Sequence, residues 1–156
     1  MKNILIALLG VFLPISGLFA QGYAQDVEFD VHCLGVELDG SQTLRVSGYG
    51  KNKSDAKEQA KKNAVWAVVF CGIREGADGC NTVPLVTEVN ARERYEDYFN
   101  AFFSDKGAYK EYVSNEDYKK GSKSYVKSKL GAKYTVTVRV LRPQLKTRLK
   151  ADGIIK

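Results

Sequence analysis

The sharpest alternation in the chain is Tyr-Thr-Val-Thr-Val-Arg-Val, residues 134 to 140. Tyr134, Val136, Val138 and Val140 fall on one face, and Thr135, Thr137 and Arg139 fall on the other. A period of two with β-branched and aromatic residues on the apolar face predicts a half-buried strand. Val27, Phe29, Val31 and Cys33 repeat the pattern against Glu28, Asp30 and His32. It returns after the Asp39-Gly40 turn, with Leu44 and Val46 inward and Gly48 at the end of the run. These last two runs predict a first hairpin.

From Asp55 the period changes. Ala56, Ala60, Ala64 and Ala67 line one stripe of a helix predicted to reach Phe70, flanked by Trp66, Val68 and Phe70. Small side chains let a helix axis lie close to a sheet. Val65 and Val69 sit on the opposite side, so the C-terminal half of this helix needs a second neighbour. A second helix, about Glu88 to Phe103, supplies one: Ala91, Tyr95, Tyr98, Phe99, Phe102 and Phe103 follow helical spacing. Gly107 is placed to stop it. Tyr109, Tyr112 and Val113 suggest one further short amphipathic turn.

The strand at 134–140 needs a partner near Lys123 to Lys129, with Val126 inward and Tyr125 and Lys127 outward. A two-residue Gly131-Ala132 loop would set Lys127 opposite Val136, on the wrong face. A three-residue Lys129-Leu130-Gly131 loop keeps the pattern, with Gly131 at positive φ in a bulge. Pro143 then opens a last helix at its favoured first position. Leu145 and Leu149 form its buried stripe, and Ile154 and Ile155 pack beyond it. The order β-β-α-α-β-β-α describes an α+β domain, an antiparallel sheet of two hairpins with helices on one face. It differs from the parallel βαβ units of nucleotide-binding folds.

The joint between the first hairpin and the alanine helix, Ser-Gly-Tyr-Gly-Lys-Asn-Lys-Ser, invites a phosphate-loop reading, but its spacing fails. After Gly48 and Gly50 a dinucleotide loop needs a third glycine where Lys53 stands. A P-loop needs glycine where Asn52 precedes Lys53-Ser54. The glycines serve a tight strand exit, and Asn52 or Ser54 is available to cap the helix. No cofactor or metal ligand set is expected, since the chain offers neither Cys-x-x-Cys nor a Cys/His metal spacing.

The first residues, Met-Lys-Asn followed by an apolar run from Ile4 to Phe19 and then small and polar residues, have the layout of a secretory signal peptide. The run is interrupted by Gly10, Pro14, Ser16 and Gly17 and is shorter than the roughly 20 apolar residues of a membrane span. Cleavage is expected after Ala20, with Ala24 the alternative, leaving residues 21–156 as one domain large enough for a core. The net charge of +6 is uneven: residues 21–104 carry 9 Lys/Arg against 13 Asp/Glu, and residues 105–156 carry 14 against 5. A basic half suits an acidic or anionic partner. Export makes nucleic acid a poor candidate. In an oxidising compartment three cysteines allow one internal disulfide. Cys71 and Cys80 bracket a short glycine-rich loop and are the expected pair, leaving Cys33 as a buried thiol.

The block Leu44 to Val68, with its strand, glycine turn and repeated Ala56, Ala60 and Ala64, resembles the Lpp-twenty-like bacterial lipoproteins. It is also similar to the N-terminal domain of flagellar assembly protein T. The resemblance implies a non-catalytic cell-envelope domain used in surface or machine assembly. The chain departs from the lipoprotein pattern in having no cysteine directly after the apolar run.

The residues themselves point the same way. His32 is the only histidine and is expected on an outer strand face. Glu93, Glu96 and Asp97 alternate with Arg92 and Arg94 as a solvated helix face. The expected function is therefore binding, without catalysis, of an envelope protein or an anionic envelope component in the periplasm or at the outer membrane. Lys127, Lys129, Arg139, Tyr98, Phe102 and Phe103 are the candidate interaction residues. Binding of an anionic small ligand or lipid headgroup, or a small hydrolase activity, are the alternatives.

Overall fold

The computed structural model describes residues 30–116, 123–129 and 131–156. The expected signal peptide, and Val27 to Phe29 of the first alternating run, lie outside the described residues. The chain is α+β, as expected, built on one six-stranded sheet. β1 (Val31–Val36) and β2 (Gln42–Gly50) form the first hairpin around Asp39 and Gly40. At the turn the Asp39 carboxylate accepts from the Ser41 hydroxyl at 2.6 Å and from its N–H at 2.9 Å. These bonds hold its pKa below the usual carboxylate value. α1 (Lys53–Trp66) follows and passes into a π-helical turn, Ala67–Cys71. After it come β3 (Glu75–Gly76), α2 (Ala91–Arg94), α3 (Glu96–Phe102) and a 3-10 turn, Ala108–Tyr112. The chain closes with β4 (Val113–Asn115), β5 (Ser124–Ser128), β6 (Gly131–Val140) and α4 (Arg142–Ala151).

This order is richer than two hairpins and three helices. β6 is the long central strand, antiparallel to β2 on one side and to both β4 and β5 on the other. β4 covers its C-terminal end and β5 its N-terminal end, so the two short strands lie along one edge. On the far edge β3 pairs with β1 in parallel. The inner face carries Leu44, Val46, Val136, Val138 and Val140, all fully buried, as the alternation predicts. α1 lies over β2 and β6.

The closeness of that contact is set by the two glycines. A Cβ on Gly48 would overlap the backbone of Ala56 and Ala60, coming within 2.8 Å of Ala60 Cα, and one on Gly50 would lie 2.6 Å from the Asp55 Cβ. Ala56, Ala60 and Ala64 are fully buried against this joint. The buried Asn63 amide donates to the Ser47 carbonyl at 2.9 Å, which fixes the rotation of the helix about its axis. Asn52 caps the start: its side chain accepts from Asp55 N–H at 3.0 Å, and the Asp55 carboxylate accepts from Lys51 N–H at 3.2 Å. This reciprocal pair occupies amides that a phosphate would need.

The second neighbour of α1 is aromatic, as expected. Phe70 meets Phe99 edge-on at 4.7 Å between ring centres, and Trp66 meets Phe103 at 5.2 Å. The segment is not one helix, however. It starts at Ala91 after Asn90, which sits at φ 64°, and breaks at Tyr95, whose φ of −114° is not helical. The expected short turn is the 3-10 turn, with Tyr109 and Tyr112 buried. The last helix carries Pro143 in its first turn, and Leu145, Leu149 and Ile154 are buried.

Two expectations are corrected. The disulfide joins Cys33 to Cys80, with a Cα–Cα distance of 6.3 Å, and Cys71 is the free thiol. The loop after the π-helical turn does not close on itself. It crosses to the sheet edge, where Glu75 faces His32 and Gly76 faces Cys33, and Ala77 N–H donates to the Cys33 carbonyl at 2.8 Å. That pairing brings Cys80 back over β1 and leaves Cys71 behind at the helix end. The second correction is the register of the last hairpin. Ser128 faces Gly131, so only positions 129 and 130 separate the paired residues; Val126 faces Lys133 and Lys127 faces Ala132. Val126 therefore lies on the outer face and is 61% exposed. Gly131 does have positive φ, 143°, but as a strand residue whose Cβ would press within 2.8 Å of the Gly50 carbonyl oxygen. All of β5 is exposed, so burial imposes no sidedness on it and the short turn sets the register.

Candidate functional site

The β2–β6 register brings together two stretches that are 75 or more residues apart in sequence. Tyr49 faces Lys133 and Gly50 faces Ala132, while Lys133 also faces Val126 of β5. Tyr49, Lys133 and Val126 thus form a row across three strands at one end of the sheet. The Lys133 ammonium lies 5.4 Å from the centre of the Tyr49 ring. On the other face of the same hairpin, Tyr125 faces Tyr134, with ring centres 6.2 Å apart. The Lys53 ammonium, at the first residue of α1, stands 5.6 Å from the Tyr125 ring and 5.7 Å from the Tyr134 ring. Contacts of this length hold a cation in place while leaving it accessible.

Between the start of α1 and the hairpin lies a cleft of about 790 Å³. Tyr49, Lys51, Val126, Ala132 and Lys133 are among its lining residues, and Asp55 is its acidic member. The Asp55 carboxylate already accepts from Lys51 N–H. Lys127 and Lys129 are exposed and alternate in sequence with the lining residues Val126 and Ser128. The result is an open groove with Tyr49, Lys51 and Lys133 in its lining and Lys127 and Lys129 beside it, suited to carboxylate or phosphate groups.

A second cleft, of about 500 Å³, opens on the outer face near β1. His32 Nδ1 lies 3.2 Å from a Glu75 carboxylate oxygen, and Nε2 lies 3.7 Å from Asp30. Arg45 and Thr135 complete the polar lining. Both ring nitrogens face carboxylates, and the neighbouring Cys33 is committed to the disulfide. Among the described residues no cluster of three His, Cys, Asp or Glu side chains is arranged to hold a metal ion.

The six candidate interaction residues do not form one surface. Lys127 and Lys129 belong to the groove hairpin. Arg139 lies on the outer sheet face near the opposite end of β6, between Glu37 at 3.7 Å and Glu116 at 3.4 Å. Tyr98 is half-buried, and its hydroxyl donates to Asp152 at 2.6 Å. Burial and that carboxylate raise the phenol pKa. Phe102 and Phe103 are 4% and 1% exposed and belong to the core, because the aromatic excess of the helix is absorbed by Trp66, Tyr109 and Tyr112. The groove residues Tyr49, Lys51 and Lys133, and the Lys53–Tyr125 contact beside them, were missed. Their signal is two basic–aromatic stretches, 49–53 and 123–134, but only the strand pairing makes them neighbours.

Comparison of the chain with protein-family models, with curated proteins and with solved structures finds no match.

Proposed function

We propose that this chain is a non-catalytic, exported cell-envelope domain that binds an anionic partner, a protein or another envelope component, in the groove between α1 and the β5–β6 hairpin. The observation that carries the reading is one open cleft lined by Tyr49, Lys51 and Lys133, with Lys53 and Tyr125 on the other face of the adjoining hairpin. The Cys33–Cys80 bond accords with an oxidising compartment. The resemblance of residues 44–68 to the Lpp-twenty-like lipoproteins and to the N-terminal domain of flagellar assembly protein T supports a role in envelope assembly.

The test is recovery of partners from envelope extracts on the immobilised chain across a salt series. Binding through the groove weakens as salt shortens the Debye length from about 10 Å at 0.1 M to about 3 Å at 1 M. It is also lost in a Lys51→Glu/Lys133→Glu double variant whose melting temperature is unchanged. Retention by that variant at all salt concentrations would refute the groove. Turnover of any substrate by the purified chain would refute the non-catalytic reading.

A further inference from the structure

We infer that β5 is a docking edge beside the groove and that the anionic partner presents an extended acidic polypeptide segment, added to the sheet beyond β5 as a further strand. The inference rests on the binding role proposed for the groove and names its ligand class. Among the described residues β5 pairs with β6 alone, and in an antiparallel ladder every second residue of an edge strand turns its N–H and C=O away from its neighbour. The edge has a hydrophobic character that a merely guarded edge lacks. Val126 is 61% exposed and Tyr125 is 42% exposed, on opposite faces of the strand. An added strand would lay alternate side chains beside each of them.

The charge is arranged to select the strand's sequence. Lys127 projects on the same face as Tyr125, whose ring lies 5.6 Å from the Lys53 ammonium, and Lys129 follows at the turn. A strand whose alternate side chains are acidic sets them along the face of Lys127 and Lys53 and lays its apolar residues beside Val126 on the other. A membrane surface, the other anionic partner, would make no use of the backbone edge.

The experiment uses the whole chain and three probes: a ten-residue peptide alternating glutamate with valine and threonine, the same peptide N-methylated at every second residue, and phosphatidylglycerol vesicles. N-methylation keeps charge and side chains and removes the hydrogen bonds that one edge of the peptide makes. Two versions, methylated on even and on odd positions, cover both orientations. The expected result is binding of the unmodified peptide, at least tenfold weaker binding of one methylated version, and about tenfold weaker binding of the unmodified peptide to Lys127→Glu. Equal binding of all three peptides would overturn strand addition and leave a purely electrostatic groove. Vesicle binding without peptide binding would overturn the polypeptide assignment while leaving the groove as a binding site. Binding of none would overturn both.

Discussion

Gly48 shows how much one residue can decide. Its φ is ordinary, and its necessity comes from space: a methyl group would overlap the backbone of α1, which cannot rotate aside as a side chain can. Gly48→Ala should therefore act as overpacking and destabilise the chain by about 1–3 kcal/mol, lowering the melting temperature by several degrees. Lys53→Ala, at an exposed position, should leave stability nearly unchanged, and calorimetry of the two variants side by side checks both. A second residue-level test concerns Asp152, which accepts from Tyr98 and from Arg148 Nε, both at 2.6 Å. These bonds hold its pKa below the usual aspartate value. A carboxylate with a lowered folded-state pKa contributes stability that is complete above the unfolded value and lost as pH falls through the folded one. Tyr98→Phe should thus melt slightly earlier than wild type at pH 7, and the gap should close as pH falls below the usual aspartate range, measured by thermal melts across pH.

At the scale of elements, pairing decides what spacing leaves open. β3 is two residues long and has no period to detect, yet its parallel contact with β1 chooses the cysteine partner. The bond closes a separation of 47 residues, for which loop-closure entropy gives about 4 kcal/mol, against the 2–3 kcal/mol expected for a ten-residue loop. Cys33→Ser should therefore lose most of the stability of a small domain, whereas Cys71→Ser should change it little. Non-reducing peptide mapping should recover a fragment joining residues 33 and 80. A fragment joining 71 and 80 would contradict the topology of this edge. Elements whose apolar face is buried were legible from sequence: β2, β6, the alanine stripe of α1, and Leu145 and Leu149 of α4. β5 was not, because no face of it is buried and its register follows from the turn and from the Gly50–Gly131 approach. The break at Tyr95 was illegible for a related reason. The aromatic period continues across it, and the change appears only in the backbone angle.

At the scale of the whole molecule, the uneven charge resolves into a place. The basic excess after residue 105 was read as a property of half the chain, but the sheet gathers only part of it, with Lys51 from the acidic half, around one cleft. Other cations are committed elsewhere: Lys62 pairs with Asp105 at 2.8 Å while nearly buried, and Arg142 donates to the Val83 carbonyl at 2.7 Å. Net charge suggested the class of partner proposed here, and the cleft is where that proposal puts it. The most direct measurement is a chemical-shift titration of the isotope-labelled chain with the alternating acidic peptide at low and high salt. The expected result is movement of backbone amides from Tyr49 to Lys53, from Tyr125 to Lys129 and at Lys133, reversed by salt. Movement centred instead on His32, Arg45 and Thr135, or no movement at either salt concentration, would contradict the assignment of the groove.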